Sequence, residues 1–437
     1  MLLKTAKFGG SSLADAEGFL RVAAIVRADP ARRYIIPSAP GRRSPGDTKI
    51  TDMFYSCHKA AENKEDFSPL FGCIEERFLT IAERLGTDCD LYPELRLIRE
   101  RLTLGCSADF AASRGEYLCG MLLASLLGFD FVDAAGVIFF TGDGRLDGNK
   151  TYAGLRQALS KHKRAVIPGF YGSLPDGRIK TFTRGGSDIT GAIVARAVGA
   201  DVYENFTDVR GLLAADPEIV DSPRVIRRIT YRELRELSCA GAKVLHGEAI
   251  LPVSAAGIPV NLRNTYDTDD PGTLIVSDTS GKDERLTGIA GESGYTLIRL
   301  GADDIQSRKG FGSGLFSILE GYGVRIGHLP SGVDGICAVV PTASLDSNRK
   351  KVIEKIKEGL SPDTLTLRDG VALISVVGRG IGDPPDTGAG IFSALAESGT
   401  CVLLTDRGAN DISITVGVDA RDLQKAIRAI YRRLFAD

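Results

Sequence analysis

The stretch LLKTAKFGGSSLADAEGFLRVAAI, residues 2–25, joins an apolar segment, a glycine pair and a second apolar segment with helical spacing. It predicts a strand over 2–8, a glycine turn, and a helix capped by Ser11 or Ser12. The inward face of that helix is predicted to consist of Leu13, Ala16, Leu20 and Ala24. Strand, glycine turn and helix in this order form the repeating unit of an α/β domain with a parallel sheet.

The same unit recurs as far as residue 280. Further strands are predicted at 34–36, 165–167 and 201–206, and further helices at 107–127, 187–198 and 231–240. These alternating elements predict a three-layer αβα domain with a mainly parallel sheet, whose ligands gather at the carboxyl ends of the strands. The polar, turn-rich segment 265–287 predicts a domain boundary.

The remainder of the chain contains an internal repeat with an offset of 76 residues, in which GLFSIL at 314–319 matches GIFSAL at 390–395. The register continues without a gap, so that 296–300 falls on 372–376 and 336–340 on 412–416. Each copy is predicted to be a strand, a helix, two strands and a further helix, which is the ferredoxin-like pattern. The predicted domains are therefore 1–280, 288–365 and 366–437.

Composition excludes several classes of protein. Of the 437 residues, 43% are hydrophobic, and a net charge of -2 gives no electrostatic basis for binding nucleic acid or an anionic membrane. No apolar stretch is long enough to span a bilayer, and the N-terminus lacks the apolar core of a signal peptide. Eight scattered cysteines without a CxxC and only four histidines indicate free thiols in a reducing cytoplasm and no protein-bound metal.

The cluster KFGGSS at 7–12 carries the first chemical signal. Glycines after a strand let backbone N–H groups approach a phosphate, and Lys7 supplies a positive charge for a phosphoryl group in transfer. The cluster is not a P-loop, because GxxxxGK[ST] occurs nowhere in the chain. The alternative is that the glycines serve only the turn.

Three further clusters are polar and begin helices or end strands. Arg184 and Asp188 lie in TRGGSDI at 183–189, where the arginine suits a carboxylate; alternatively, the polar residues only cap the helix. Glu116, in SRGE, could accept an ammonium group; alternatively, it is a first-turn glutamate that the helix dipole favours. A nucleotide-binding loop is predicted from Thr207, Asp208, Asp216 and Lys243. Two-carboxylate, Ser-His-Asp and metal-histidine schemes have no support, because the histidines lie far apart.

In order and type, these clusters resemble those of the aspartate kinases in the amino-acid kinase superfamily, over nearly the whole chain. The resemblance rests on KFGGSS, SAPG at 38–41 followed by Thr51, SRGE, RGGSD, TDV at 207–209 and GAKVLH at 241–246. The 76-residue repeat resembles the paired ACT domains that regulate this family.

The resemblance implies transfer of the ATP γ-phosphoryl group to the β-carboxylate of L-aspartate, with Mg²⁺ neutralising the phosphates. It makes Lys7 and Asp188 the catalytic residues. Substrate contacts are implied for Ser38, Thr51, Glu116, Arg184, Gly186 and Ser187. ATP contacts are implied for Lys7, Phe8, Gly9, Gly10, Ser11, Thr207, Asp208, Asp216 and Lys243. A carboxylate is already a nucleophile at neutral pH, so this chemistry needs positioning and charge stabilisation more than a base.

The resemblance also implies feedback control by an amino acid and a homodimer, or dimer of dimers, assembled through the ACT domains. The effector, lysine or threonine, is expected in the first copy at Ser307, Gly310, Phe311 and Gly312. The matching turn of the second copy holds two prolines and two acidic residues, which disfavour a carboxylate. Gly327 stands where lysine-sensing relatives often have an acidic residue, so the identity of the effector stays open.

Two alternatives to aspartate kinase remain. One is a glutamate or acylglutamate kinase, disfavoured by the ACT-like repeat and, for an acylated nitrogen, by Glu116. The other is a non-catalytic amino-acid sensor, which would be expected to lack Lys7 or Asp188. A fused homoserine dehydrogenase is not expected, because no chain for it follows the repeat.

Overall fold

The computed structural model describes residues 2–183, 185–242, 247–278, 285–303, 308–381, 386–408 and 411–435. The strands are β1 Lys4–Phe8, β2 Arg32–Pro37, β3 Asp130–Phe131, β4 Ala165–Val166, β5 Tyr171–Ser173, β6 Ile179–Thr181, β7 Val202–Thr207, β8 Leu212–Leu213, β9 Val225–Ile226, β10 Arg228–Thr230, β11 Val260–Asn264, β12 Thr273–Val276, β13 Gly288–Gly301, β14 Gly335–Pro341, β15 Thr364–Val377, β16 Leu404–Arg407 and β17 Ser413–Asp419. The helices are α1 Ala16–Ala28, α2 Ile50–Glu62, α3 Ser68–Leu85, α4 Tyr92–Leu104, α5 Ala108–Leu127, α6 Gly148–Leu159, α7 Gly186–Val198, α8 Tyr231–Cys239, α9 Leu251–Ala255, α10 Phe311–Gly321, α11 Thr342–Asp346, α12 Arg349–Leu360, α13 Asp386–Glu397 and α14 Leu423–Leu434.

The chain forms two compact units. The first comprises residues 1–212, 227–231 and 245–280, and the second comprises 213–226, 232–244 and 281–437. The segments 213–226 and 232–244, which sequence analysis assigns to the first domain, thus belong to the second compact unit. The boundary expected at 365/366 lies within β15, and the division into three domains stays a proposal.

The first unit is built on a sheet of eight described strands in the order β10-β12-β11-β7-β1-β2-β4-β3. Its described pairings are parallel except that between β11 and β12. One apolar cluster joins helices α1 to α5 to the face of the sheet that carries Ala6 and Phe8. Another joins α6 and α7 to the face that carries Tyr34 and Ile36. The predicted three-layer α/β domain with a mainly parallel sheet is confirmed.

Helix α1 differs from its prediction. It begins at Ala16 and is capped by Asp15, whose carboxylate accepts a hydrogen bond from the backbone N–H of Gly18. Neither predicted cap serves this helix, because a short 3-10 turn over Gly10–Leu13 precedes it. Of the predicted inward face, Leu13 and Ala16 are buried, but Leu20 is 50% exposed and Ala24 is exposed as well. Phe19, Val22 and Ile25 are buried in their place.

The second unit contains a sheet of five described strands in the order β14-β13-β15-β17-β16, with antiparallel pairings throughout. The repeat predicted from sequence corresponds to repeated structure, since α10 matches α13, β14 matches β17 and β13 matches β15. Strand β13 pairs along its length with β15, from Gly288↔Val377 to Gly301↔Thr364. The two copies therefore share one continuous sheet.

Candidate active site

The carboxyl ends of β1, β2 and β7 meet at one edge of the first sheet, because these neighbouring strands are parallel and β1 lies between the other two. Backbone hydrogen bonds join the three loops that follow. Gly9 N–H donates to Phe206 O over 3.1 Å, and Ser38 N–H donates to Phe8 O over 3.0 Å. The first cluster and the 38–41 segment are thus brought together with the end of β7.

The two glycines after β1 have different roles. A Cβ added to Gly10 would lie 2.7 Å from Ala39 O, and Gly41 N–H donates to Gly10 O over 2.8 Å, so the two loops cross at their backbones. A Cβ at Gly9 would have room but would stand 3.8 Å from Lys7 Nζ. Gly10 is therefore needed for the turn, whereas Gly9 keeps the space beside the ammonium group clear.

Lys7 is almost fully buried and forms an ion pair with Asp188 of α7, with 2.6 Å between Nζ and Oδ1. Asp188 lies in the first turn of a helix that begins after Gly185, whose φ of 57° favours glycine. Gly186 has no room for a side chain, because a Cβ would lie 2.6 Å from the Phe170 ring. The glycines of this cluster thus bring α7, and with it Asp188, close to the end of β1.

Glu116 of α5 is 5% exposed, and its Oε2 has no hydrogen-bond partner among the described residues. Burial raises the pKa of this carboxyl to about 8, although the backbone N–H of Ala39 partly opposes the shift. That contact places Glu116 beside the loop after β2. A buried carboxyl without a cationic partner is suited to receive the ammonium group of a ligand.

The substrate candidates Thr51 and Ser187 lie close to this loop. Thr51 is partly exposed in the first turn of α2. The preceding residue, Ile50, packs closely against Gly115 of α5, because a Cβ added to Gly115 would lie 3.1 Å from the Ile50 side chain. Ser187 is buried and packs against Gly169. A Cβ added to Gly169 would lie only 2.5 Å from the Ser187 hydroxyl oxygen. Gly169 in turn donates its N–H to the backbone oxygen of Pro37 at the end of β2.

The residues expected to contact ATP after β1 and β7 differ in exposure. Phe8 is fully buried and its ring stacks on Phe206, so only its backbone can contact a ligand. Ser11 is partly exposed in the 3-10 turn. Thr207, at the end of β7, donates its hydroxyl to Asp208 over 3.1 Å, and the latter is exposed.

Some expected residues cannot be placed at this edge. Asp216 belongs to the second unit, where its carboxylate accepts the backbone N–H of Glu218. Arg184, Lys243 and Ser307 lie outside the described residues.

The chain is similar to known proteins along its whole length. Family models described as "Amino acid kinase family" and "ACT domain" match residues 5–264 and 374–434. The Bacillus subtilis protein Aspartokinase 3 is 33% identical over 452 residues, which cover 99% of each chain. The chain belongs to the aspartokinase family. It is accordingly an enzyme, a kinase, as the sequence resemblance implies.

Solved structures of aspartokinases agree with this assignment. That of Clostridium acetobutylicum aspartate kinase is 43% identical, covers 99% of this chain and 100% of its own, and superposes with a TM-score of 0.88. Escherichia coli aspartokinase III in complex with aspartate and ADP, at 24% identity and a TM-score of 0.76 over 99% of this chain and 100% of its own, shares the fold. Among the described residues, no helix is both long and apolar enough to cross a membrane.

Sequence reasoning missed Arg77, which organises the segment after β2. This buried arginine donates to the backbone oxygens of Gly41, Ala14 and Thr48, and one of its nitrogens lies 3.2 Å from the Asp47 carboxylate. It therefore ties α3 to the crossing of the two loops. Its position within a helix that has no glycine-rich motif gave no chemical signal.

Arg114 in SRGE also has a structural role. Its guanidinium lies 4.7 Å from the ring centres of Phe110 and Tyr117 and 5.2 Å from that of Tyr171. Such contacts anchor α5, which carries Glu116 two residues further along.

Proposed function

We propose that this aspartokinase transfers the γ-phosphoryl group of ATP to the β-carboxylate of L-aspartate, giving 4-phospho-L-aspartate and ADP. This is the first step toward lysine, threonine and methionine. The observation that carries the proposal is the buried Lys7–Asp188 pair at the same sheet edge as the buried Glu116 carboxyl, whose Oε2 has no hydrogen-bond partner among the described residues. The E. coli relative, whose structure contains aspartate and ADP, supports it.

Lys7 and Asp188 are the proposed catalytic pair. The Lys7 ammonium group stabilises negative charge that develops on the transferred phosphoryl group, while Asp188 orients that lysine. The aspartate β-carboxylate attacks the γ-phosphorus, the bond to the β,γ-bridging oxygen breaks, and ADP leaves with that oxygen. No base is needed, because the nucleophile is already ionised at neutral pH.

The remaining roles follow the sequence resemblance. Glu116 binds the substrate ammonium group, Arg184 its α-carboxylate, and Ser38, Thr51, Gly186 and Ser187 complete the aspartate site. The backbone of Phe8, Gly9, Gly10 and Ser11 lines the phosphate site, with the Gly9 N–H itself donating to Phe206 O. Thr207, Asp208, Asp216 and Lys243 bind the nucleotide. The clear space between Gly9 and Lys7 Nζ supports the phosphate assignment.

Mg²⁺ fits this site as a companion of ATP. Among the described residues, no group of three or more His, Cys, Asp or Glu side chains forms a metal-binding cluster, so the phosphates are its main ligands. Asp188 is the carboxylate suited to hold it, because the ion pair with Lys7 and the hydrogen bond from Asn205 both fall on Oδ1 and leave Oδ2 for a ligand. When bound, the ion neutralises phosphate charge.

The acceptor can be tested by measuring ADP release with ATP, Mg²⁺ and one of three acids: aspartate, glutamate or acetylglutamate. We expect release well above the background rate with aspartate alone. Preference for glutamate or acetylglutamate would support another kinase of the superfamily. No release with any of the three would favour an amino-acid sensor.

We also propose feedback inhibition through the first ACT copy, with lysine as the first candidate and threonine as the second. In that copy Gly310, with a φ of 82°, caps α10, and Phe311 is buried. Supporting this, a second E. coli aspartokinase III structure, 24% identical, contains lysine and aspartate. Assembly through α10 and α13 is proposed because Phe316 and Phe392, equivalent in the repeat, are 49% and 43% exposed.

The repeat supplies a matched test of the effector site. A Cβ at Gly312 meets only Ile336 at 3.5 Å, and one at the equivalent Gly388 meets nothing within 4 Å, so both positions accept a side chain. We expect Gly312→Glu to abolish inhibition by lysine or threonine, because its carboxylate repels that of the effector. We expect Gly388→Glu to retain inhibition. Titration of ADP release with each amino acid decides between the copies, and the reverse pattern would place the effector in the second copy.

A further inference from the structure

Asn205 of β7 lies between the members of the catalytic pair. Its amide nitrogen donates to Asp188 Oδ1 over 2.8 Å, and its amide oxygen lies 3.5 Å from Lys7 Nζ. The side chain is 1% exposed. Both partners require this orientation of the amide, because an ammonium group only donates and a carboxylate only accepts.

The sheet register explains why Asn205 reaches both groups. Asn205 and Lys7 are direct neighbours on the parallel strands β7 and β1, so their side chains share the face covered by α7. Two residues earlier on the same face, Tyr203 donates its hydroxyl to the backbone oxygen of Asp188 over 3.1 Å. Strand β7 thus holds both the backbone and the side chain of Asp188.

We infer that Asn205 is a positioning residue for phosphoryl transfer, which fixes the Asp188 carboxylate so that one oxygen holds Lys7 and the other faces the ligand. This inference rests on the proposed function. The amide donor and the lysine both contact Oδ1 of Asp188, so Oδ2 has no hydrogen bond or ion pair with another described residue. Without the amide, only the flexible lysine side chain would restrain the rotation of that carboxylate.

The chemistry of the position favours a neutral amide. Leucine has a similar size but would leave Asp188 without the donated hydrogen bond. Aspartate would place a second carboxylate beside Asp188 and compete for Lys7. Among the described residues, the titratable groups in contact with Asn205 are Lys7 from β1 and Asp188 from α7.

The first test replaces Asn205 with leucine in the full chain. We expect kcat to fall about 10- to 100-fold, as for loss of one hydrogen bond to a charged group, while the KM values for aspartate and ATP change less than about threefold. Equal losses in kcat for Asn205→Leu and Asn261→Leu would overturn the inference. Asn261 is a suitable control because it pairs with Glu204 on the opposite face of the sheet.

The second test uses Asn205→Asp and a pH profile. Once protonated, the new carboxyl can donate to Asp188 as the amide does, so kcat relative to wild type should rise as the pH falls from about 8 to about 6. Asn205→Leu should show no such recovery. A profile for Asn205→Asp parallel to that of wild type would contradict a positioning role, since mere loss of packing has no such pH signature.

The two hypotheses fail differently. If wild-type protein phosphorylates aspartate but Asn205→Leu matches it in kcat, only the role of Asn205 is wrong. If wild-type protein shows no aspartate-dependent ADP release, the proposed function fails first. Melting temperatures of all variants, measured in parallel, separate a folding defect from a catalytic one.

Discussion

Lys7→Ala is expected to lower kcat about 100-fold or more, because it removes a preorganised charge that acts mainly on the transition state. The buried ion pair with Asp188 makes the lysine positionally fixed before ATP binds. The KM for aspartate should change little, since Glu116, not Lys7, is proposed to meet the substrate ammonium group. Steady-state kinetics with varied ATP and aspartate would measure both parameters.

Lys4→Ala is the matched control for this prediction. Lys4 lies on the same strand but contacts Asp29 at 2.8 Å and Glu204 at 3.3 Å, and Glu204 keeps Arg32 as a second partner. We expect near-normal kcat for this variant. A Lys7→Ala enzyme with near-normal kcat and a raised KM for aspartate would show that Lys7 does not act on the phosphoryl group.

Glu116→Gln is expected to raise the KM for aspartate about 30- to 150-fold, equivalent to about 2–3 kcal/mol for one buried charged contact, with little change in the KM for ATP. Glutamine keeps the size of the side chain, so the surrounding packing should survive. An exposed glutamate, Glu100 on α4, provides the control as Glu100→Gln. An unchanged KM for aspartate in Glu116→Gln would refute the assignment of the ammonium site.

The raised pKa of Glu116 gives this prediction a pH dependence with a defined sign. Burial raises that pKa to about 8 in the unliganded protein, so the ionised form that binds an ammonium group becomes more populated as pH rises toward 8. We therefore expect kcat/KM for aspartate to increase over that range in wild type and not in Glu116→Gln.

The same shift affects stability. The folded pKa lies above the unfolded value, so the folded protein binds the extra proton and loses stability as pH rises from about 4.3 through about 8. Relative to Glu116→Gln, unliganded wild type should melt at progressively lower temperature over this window. Saturating aspartate should reduce the difference, because its ammonium group stabilises the carboxylate.

Local sequence signals predicted much of this fold. Ser107 caps α5 by accepting the N–H of Phe110, and the predicted helix 107–127 differs from the observed one by a single residue. Helix α7, at 186–198, was predicted equally closely. Both helices begin directly after a serine or glycine N-cap residue, and sequence rules for helix capping describe such starts well. Helix α1 was mispredicted in two respects: its cap is Asp15, not a serine, and small or apolar residues on two adjacent faces left the buried side ambiguous, so that Leu20 and Ala24 are exposed.

Single segments such as KFGGSS and SRGE could be picked out from the sequence, and the structure brings both against Ala39 in the loop after β2. The roles of their residues stay predictions. Asn205 was not predictable, because its contacts join residues 198 positions apart through the register of β7 and β1. A weak signal existed, since Glu204 and Asn205 are consecutive polar residues between Tyr203 and Phe206 in a strand. Such residues require buried partners, but the sequence does not identify them.

Trapping of the product tests the central claim most directly. Hydroxylamine attacks the carbonyl carbon of an acyl phosphate, so the enzyme with ATP, Mg²⁺ and aspartate should accumulate aspartate β-hydroxamate, identified by mass spectrometry. If the β-carboxylate oxygens carry ¹⁸O, the inorganic phosphate released in the trap should contain one labelled oxygen. Release of ADP without hydroxamate, or phosphate free of label, would contradict phosphoryl transfer to the β-carboxylate.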